Sequence, residues 1–272
     1  MLTTTVRAFL LLALLAAAGT PEALSVWPAG PVPAHEARYY SRLERDLVRC
    51  ELCPHHCVIV PGGRWLCRVR ENRQGRLVSL VYGRPVTVGK EPVEKSPFFH
   101  FLPGTLRLTL STAGCNQSCK YCQNWEISQA RPEDLPAYRL PPDSVVALAL
   151  GKGLPTICLT YAEPVVFFEY ALDIARAAWG IKTAVVTGGY INPAPLAELC
   201  SLVDAVKIDL KGFTAEFYRE VCGSRLAPVL EACRAVRASG THLELVNLVV
   251  PGHNDDSASV AAMSRWIAGV RQ

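Results

Sequence analysis

From Thr105 to Val270 the chain alternates apolar, β-branched runs with amphipathic stretches, and this regularity restricts the fold more than anything else in its 272 residues. Strands are expected at Thr105 to Ser111, Thr156 to Thr160, Thr183 to Thr187, Ala205 to Ile208 and Leu243 to Val249. Helices are expected near Pro142 to Gly151 and at Val165 to Trp179, Pro193 to Leu202, Leu226 to Ser239 and Ala258 to Val270. Alternation of this kind predicts an α/β fold, a parallel sheet with covering helices, either open or closed into a barrel. In a barrel, functional groups gather at the C-terminal ends of the strands.

The first of those strand ends carries Cys115, Cys119 and Cys122, spaced C-x3-C-x2-C on a loop beside Gly114, Asn116 and Gln117. A loop suits three side chains that must converge on one small group. An iron–sulfur cube usually takes four thiolates, one per iron, so three leave one iron open for a ligand. Three buried thiols or three zinc ligands are the plainer alternatives. A second group, Cys50-Glu-Leu-Cys53-Pro-His-His-Cys57 followed by Cys67, supplies four thiols around a Pro61-Gly-Gly63 turn. That spacing suits tetrahedral zinc and equally an auxiliary iron–sulfur cluster, with His55 or His56 able to replace one sulfur. Unligated thiols in a structural turn remain the bland reading.

The chain has eleven cysteines, an odd number, and seven fall in these two clusters, which favours metal binding in a reducing compartment over a disulfide framework. Cys158, Cys200, Cys222 and Cys233 are scattered and read as packing residues. A formal charge of +4 with no long Lys/Arg run gives no reason to expect nucleic acid. Ahead of all this, Arg7 and the apolar Ala8 to Ala18 look like a secretory signal peptide, too short to span a membrane comfortably. Metal clusters argue for the cytoplasm instead, and a folded cluster protein would need twin-arginine export, yet Arg7 has no arginine neighbour. Pro28, Gly30, Pro31 and Pro33 make Ser25 to His35 a linker; from Arg38 to Arg49 the apolar spacing predicts a short helix, and Gly75 to Val88 one or two strands.

The C-x3-C-x2-C spacing, with Tyr121 before its last cysteine, resembles the signature of radical S-adenosylmethionine (SAM) enzymes. The ordered series around it resembles something narrower. Cys-x2-Cys-Pro-His-His-Cys, Tyr82-Gly83-Arg84-Pro85, Glu94-Lys95-Ser-Pro97, His100-Phe-Leu-Pro-Gly104 and Cys115 through Trp125 to Ser128 together look like the radical SAM protein of the AmmeMemoRadiSam system, a relative of pyruvate formate-lyase activating enzymes. The resemblance implies a partial (β/α) barrel with a 4Fe-4S cluster on Cys115, Cys119 and Cys122, and SAM bound at the open iron. It implies Glu163, at the end of the second strand, on the SAM amino group; Asp209 and Lys211, at the end of the fourth, near the SAM carboxylate and substrate; and Tyr121 near adenine. It further implies an electron donor such as a flavodoxin or ferredoxin, a protein substrate, and a further strand beyond Gln272. Asparagine is typical of such relatives where Gly188 stands, so a side-chain contact is not expected there.

The residues alone offer plainer roles: a helix-start carboxylate for Glu163, an ion pair for Asp209 and Lys211, and helix capping for Asn254 and Asp255. The expected organisation is a leader and linker over 1–35, a cysteine-rich module over 36–100 and the radical SAM core over 101–272. Two other functions fit fewer motifs: an electron-transfer protein without SAM chemistry, and a zinc-knuckle module that uses Arg64, Trp65, Arg68 and Arg70 as a binding surface.

Overall fold

The computed structural model describes residues 26–27 and 33–270, so the signal-like leader lies outside the described residues. Its centre is a six-stranded sheet. In chain order the core elements are β1 (Thr87–Pro92), β2 (Leu106–Ser111), α1 (Pro142–Gly151), β3 (Thr156–Leu159), α2 (Phe168–Ala177), β4 (Lys182–Thr187), α3 (Pro193–Cys200), β5 (Ala205–Asp209), α4 (Ala215–Glu220), α5 (Leu226–Ser239), β6 (His242–Val246) and α6 (Ser257–Val270). The strands lie side by side in the order of the chain. β2 to β6 are parallel, with Ile157 opposite Leu108 and Ile208 opposite Leu245. β1 runs antiparallel along the edge, Thr87 opposite Ser111. This first strand falls inside the stretch assigned from sequence to the cysteine-rich module.

Parallel strands are covered on both faces, and the residues divide accordingly. Leu108, Leu110, Ile157, Leu159, Val185, Val206 and Ile208 pack outward into the main core under the helices. Between them, Cys158, Ala184, Val186 and Ala205 face inward, where Val93, Phe98 and Phe101 cover them. The period of two therefore sends Thr109, Lys207 and Asp209 to the inner face as well. Helix ends follow their residues: Pro142 and Pro193 open α1 and α3 at the first turn, and Gly240 ends α5 in the left-handed region at φ 82°. β1 and β6, the outer strands of the curved sheet, are not bonded to each other. The loop between β1 and β2 reaches across instead: the amides of Phe99, His100 and Phe101 donate to the Glu244 carboxylate on β6 at 2.8 to 3.0 Å.

The N-terminal unit departs from expectation at Arg38 to Arg49. There is no α-helix there; Tyr40–Arg42 and Val48–Cys50 form an antiparallel pair, Tyr40 opposite Cys50, extended by Val58–Ile59. Apolar spacing suited a helix, but Arg45 and Asp46 turn the chain at φ 56°, and pairing satisfies the backbone across the hairpin. A second small sheet joins His35–Glu36, Arg76–Ser79 and Arg70–Arg73. The unit is fastened to the core by the buried pair of Arg70 and Glu169, at 2.5 Å and 2% exposure on both sides, and Glu169 also accepts from the Arg38 amide at 2.7 Å. Two of the four residues expected on a zinc-knuckle surface are taken up by the fold, while Trp65 and Arg68 stay exposed. Arg70 is buried, and Arg64 pairs with Glu71 and Glu133.

Candidate active site

The ends of β2, β3, β4 and β5 open into one cavity of about 350 Å³, within the size range of small-molecule sites. Cys115, Cys119, Cys122, Tyr121, Glu163, Asp209 and Lys211, all singled out from sequence, line it. The cysteine loop leaves β2 at Ser111. Gly114 at φ 94° makes its sharp turn, and the Gly114 amide donates to Ile127 O at 2.9 Å, closing the loop onto the single helical turn Trp125–Ser128. Among the described residues, no three His, Cys, Asp or Glu side chains are drawn together closely enough to form a single-ion site. An iron–sulfur cube spreads its thiolates more widely than one ion does, and three convergent thiols on the rim of a ligand-sized cavity fit that donor set.

Glu163 sits at the end of β3 and is 2% exposed. Its carboxylate accepts from Thr187 Oγ1 at 2.6 Å, the Gly188 amide at 2.9 Å and the Val165 amide at 3.1 Å. The last bond is the helix-start role foreseen for it, so capping and a ligand-facing position coexist. Burial raises the carboxyl above its usual range, while those three donors and the Lys211 charge pull it back down.

β5 contributes an inward row spaced by two. Lys207, 3% exposed, bonds Asp209, whose other oxygen lies 3.7 Å from Lys211 Nζ. Burial alone would lower the Lys211 ammonium, but Asp209, the thiols of Cys119 and Cys115 and Tyr121 outweigh it and hold it above the usual lysine range. Burial conversely pushes the Cys115 thiol well up, and Glu163 adds to that.

Four participants escaped the sequence reading. Lys207 could have been found from its spacing to Asp209 and Lys211. Thr187 had no signal beyond its place at the end of β4. Gln117 lies within the cysteine motif: its Nε2 donates to Ser224 Oγ at 2.7 Å, and its Oε1 would be 2.0 Å from a Cβ at position 188. Gly188 is thus glycine because Gln117 fills the space where a side chain would stand. Cys222, read as packing, is buried but touches the site. The Ser118 amide donates to Cys222 O at 3.0 Å and the Lys120 amide to Val221 O at 2.9 Å, bringing the Cys222 thiol against Cys119, whose thiol it hydrogen-bonds and holds below the usual range. Cys158, Cys200 and Cys233 are buried as expected.

The loop after β6 is also corrected. Asn254 does not cap α6; its Nδ2 donates to Lys211 O at 2.7 Å and Leu248 O at 2.9 Å, tying that loop to the end of β5. Asp255 accepts from the Gly252 amide, and the first turn of α6 is capped by Asp256, which accepts from the Ser259 amide at 2.8 Å.

The model of the radical SAM superfamily matches residues 109–262. An uncharacterised protein of Methanocaldococcus jannaschii is 42% identical over 224 residues, 81% of this chain and 66% of that protein. The isethionate sulfite-lyase activating enzyme of Desulfovibrio desulfuricans is 31% identical over 121 residues, 43% of this chain and 38% of that enzyme. The chain therefore spans under two thirds of the length of either relative. Among solved structures, Streptococcus suis SuiB bound to precursor peptide SuiA aligns over 66% of this chain and 39% of that one, at 14% identity and a TM-score of 0.47.

Proposed function

The chain belongs to the radical SAM superfamily, and on that premise we propose that Cys115, Cys119 and Cys122 hold a 4Fe-4S cluster and that the cavity beside them binds SAM for reductive cleavage. When bound, the cluster and SAM supply an electron and a 5'-deoxyadenosyl radical. The observation that carries this reading is the convergence of three thiols, one buried carboxylate and a Lys–Asp–Lys row on a single cavity at the strand ends.

In this reading Glu163 faces the SAM ammonium with a charge-assisted hydrogen bond. Its three internal donors fix the direction of its oxygens. Asp209 and Lys211 orient the remaining polar groups of SAM, with Lys207 holding Asp209 in position. Tyr121, in ring contact with Phe217 at 6.2 Å, offers a flat apolar wall for adenine. The substrate is a protein and the electron donor a small flavodoxin- or ferredoxin-like carrier, in keeping with activating-enzyme relatives. A place in the AmmeMemoRadiSam system is supported by the order of motifs from Cys50 to Ser128, and work in the cytoplasm by the demand for reduced iron and SAM.

Anaerobic reconstitution with iron and sulfide, then reduction and EPR with and without SAM, tests it. A cluster signal that shifts with SAM, accompanied by 5'-deoxyadenosine and lost in Cys119→Ala, is expected. A reducible cluster indifferent to SAM would leave an electron carrier.

A further inference from the structure

Cys50, Cys53, Cys57 and Cys67 line one narrow cavity of about 20 Å³, walled also by Arg70 and Asn116. Two turns bring them there. In the first, the Cys50 amide donates to Cys57 O at 2.9 Å and the His56 amide to Cys53 O at 3.1 Å. In the second, which carries Cys67, the Arg68 amide donates to Trp65 O at 2.8 Å. His56 and Arg68 both adopt the left-handed region, at φ 47° and 63°, which costs energy at non-glycine residues. Four small hydrophobes filling a core would not need such turns.

Two polar atoms in the walls add a second observation. Arg70 Nε and Asn116 Oδ1 are buried without a hydrogen-bond partner, in residues 1% and 3% exposed. Orphaned groups of this kind are rare in native interiors. All four cysteines are free thiols, so no disulfide explains their convergence.

The same turns support the cysteine loop of the active site. His55 Nε2 lies 2.8 Å from Asn116 O, one residue past Cys115. Gly114 nests against the Cys67 turn so closely that a Cβ there would meet Cys67 O at 2.7 Å. Arg225 Nη2, at the start of α5, donates to Pro54 O at 3.0 Å.

We infer that Cys50, Cys53, Cys57 and Cys67 ligate a second thiophilic metal centre, and that this centre fixes the turn on which the Cys115 loop is seated. Zinc and an iron–sulfur cluster share the required thiolate chemistry. One zinc would draw the four sulfurs inward from their present positions, whereas a cluster takes them more widely spaced. The second half of the inference rests on the reading of Cys115, Cys119 and Cys122 as cluster ligands; the first does not.

Zinc, iron and sulfide are measured on the full chain purified anaerobically, on a Cys115→Ala/Cys119→Ala/Cys122→Ala variant and on a Cys53→Ser/Cys57→Ser variant. The triple variant is expected to keep about one zinc without sulfide, or iron with matching sulfide. Either result distinguishes the metal, and a triple variant free of both after desalting overturns the centre. Failure of the SAM chemistry would appear separately, as a wild-type cluster blind to SAM, and leaves the triple variant's metal intact.

For the seating role, hydrogen exchange at residues 114–118 is compared before and after a chelator strips the triple variant. Exchange faster by about tenfold or more is expected. Unchanged exchange overturns that role, and because the comparison uses one folded protein, misfolding of the Cys53→Ser/Cys57→Ser variant cannot obscure it.

Discussion

The two thiol groups of this chain meet at Asn116, which follows Cys115 and walls the Cys50 cavity, yet they face opposite conditions. The Cys115 group rims a cavity of about 350 Å³ that is ringed by Glu163, Asp209, Lys207 and Lys211. The Cys50 group lines a cavity of about 20 Å³ and has one buried cation, already paired with Glu169, beside it. The first arrangement leaves space and fixed charge for a polar ligand; the second leaves none. A thiol group beside a charged, ligand-sized cavity and one beside a narrow apolar cleft are thus separable by what surrounds the sulfurs, even where the sulfur count alone would rank the four-thiol site higher.

If the regions are as interdependent as the Arg70–Glu169 pair implies, Glu169→Gln strands a buried guanidinium and lowers stability by about 3–5 kcal/mol. Thermal unfolding followed by circular dichroism checks this, and a loss below about 1 kcal/mol would mean that the N-terminal unit is held chiefly by apolar contacts. Within the open site, Glu163→Gln is expected to weaken SAM binding by about ten- to a hundredfold, the range for a lost charged hydrogen bond. Iron content should be unchanged. Calorimetric titration of the reconstituted protein reads the first and metal analysis the second.

Gly188→Asn comes next. With Gln117 Oε1 in the way, the substitution should cost about 1–3 kcal/mol, and Gln117→Ala in the same chain should restore most of it. Additivity in that double-mutant cycle would show that the two positions do not share space.

The smallest effect is expected at Glu244, away from both thiol groups. Burial raises its carboxyl, but the Phe99 amide, His242 and the His100 amide outweigh this, so its folded value lies below the ordinary 4.5. Stability from a lowered carboxyl is present above about 4.5 and lost as pH falls through the folded value. Protection of the amides of residues 99–101 against hydrogen exchange should therefore drop by roughly fivefold on acidification, and Glu244→Gln should show the same drop at neutral pH.

The core was legible because parallel strands buried on both faces must be written as apolar runs, as Thr156 to Leu159 and Ala184 to Val186 are. α5 spans Leu226–Ser239 as expected because Gly240 marks its end. The edge strand Thr87–Pro92 was not separated from the preceding stretch, since its inner face carries Gly89 and Glu91 rather than an apolar row. α4, six residues long, is too short to establish a period. In the site, the residues of the cysteine motif and the strand ends were found by local pattern, whereas the approach of Cys222 to Cys119 depends on two segments about a hundred positions apart. Local pattern also missed that Gln117 and Gly188 share one space, which only the folded approach of β4 to the cysteine loop creates.

Because the six strands lie in the order of the chain, synthesis itself can lay down the sheet. Each strand leaving the ribosome finds its partner already exposed as the growing edge, with no later insertion between earlier strands. The seven clustered cysteines all precede β3, so both sulfur sites are complete before the Glu163 carboxylate and the β5 row are made. Loading of metal on a nascent chain would then precede closure of the cavity over it.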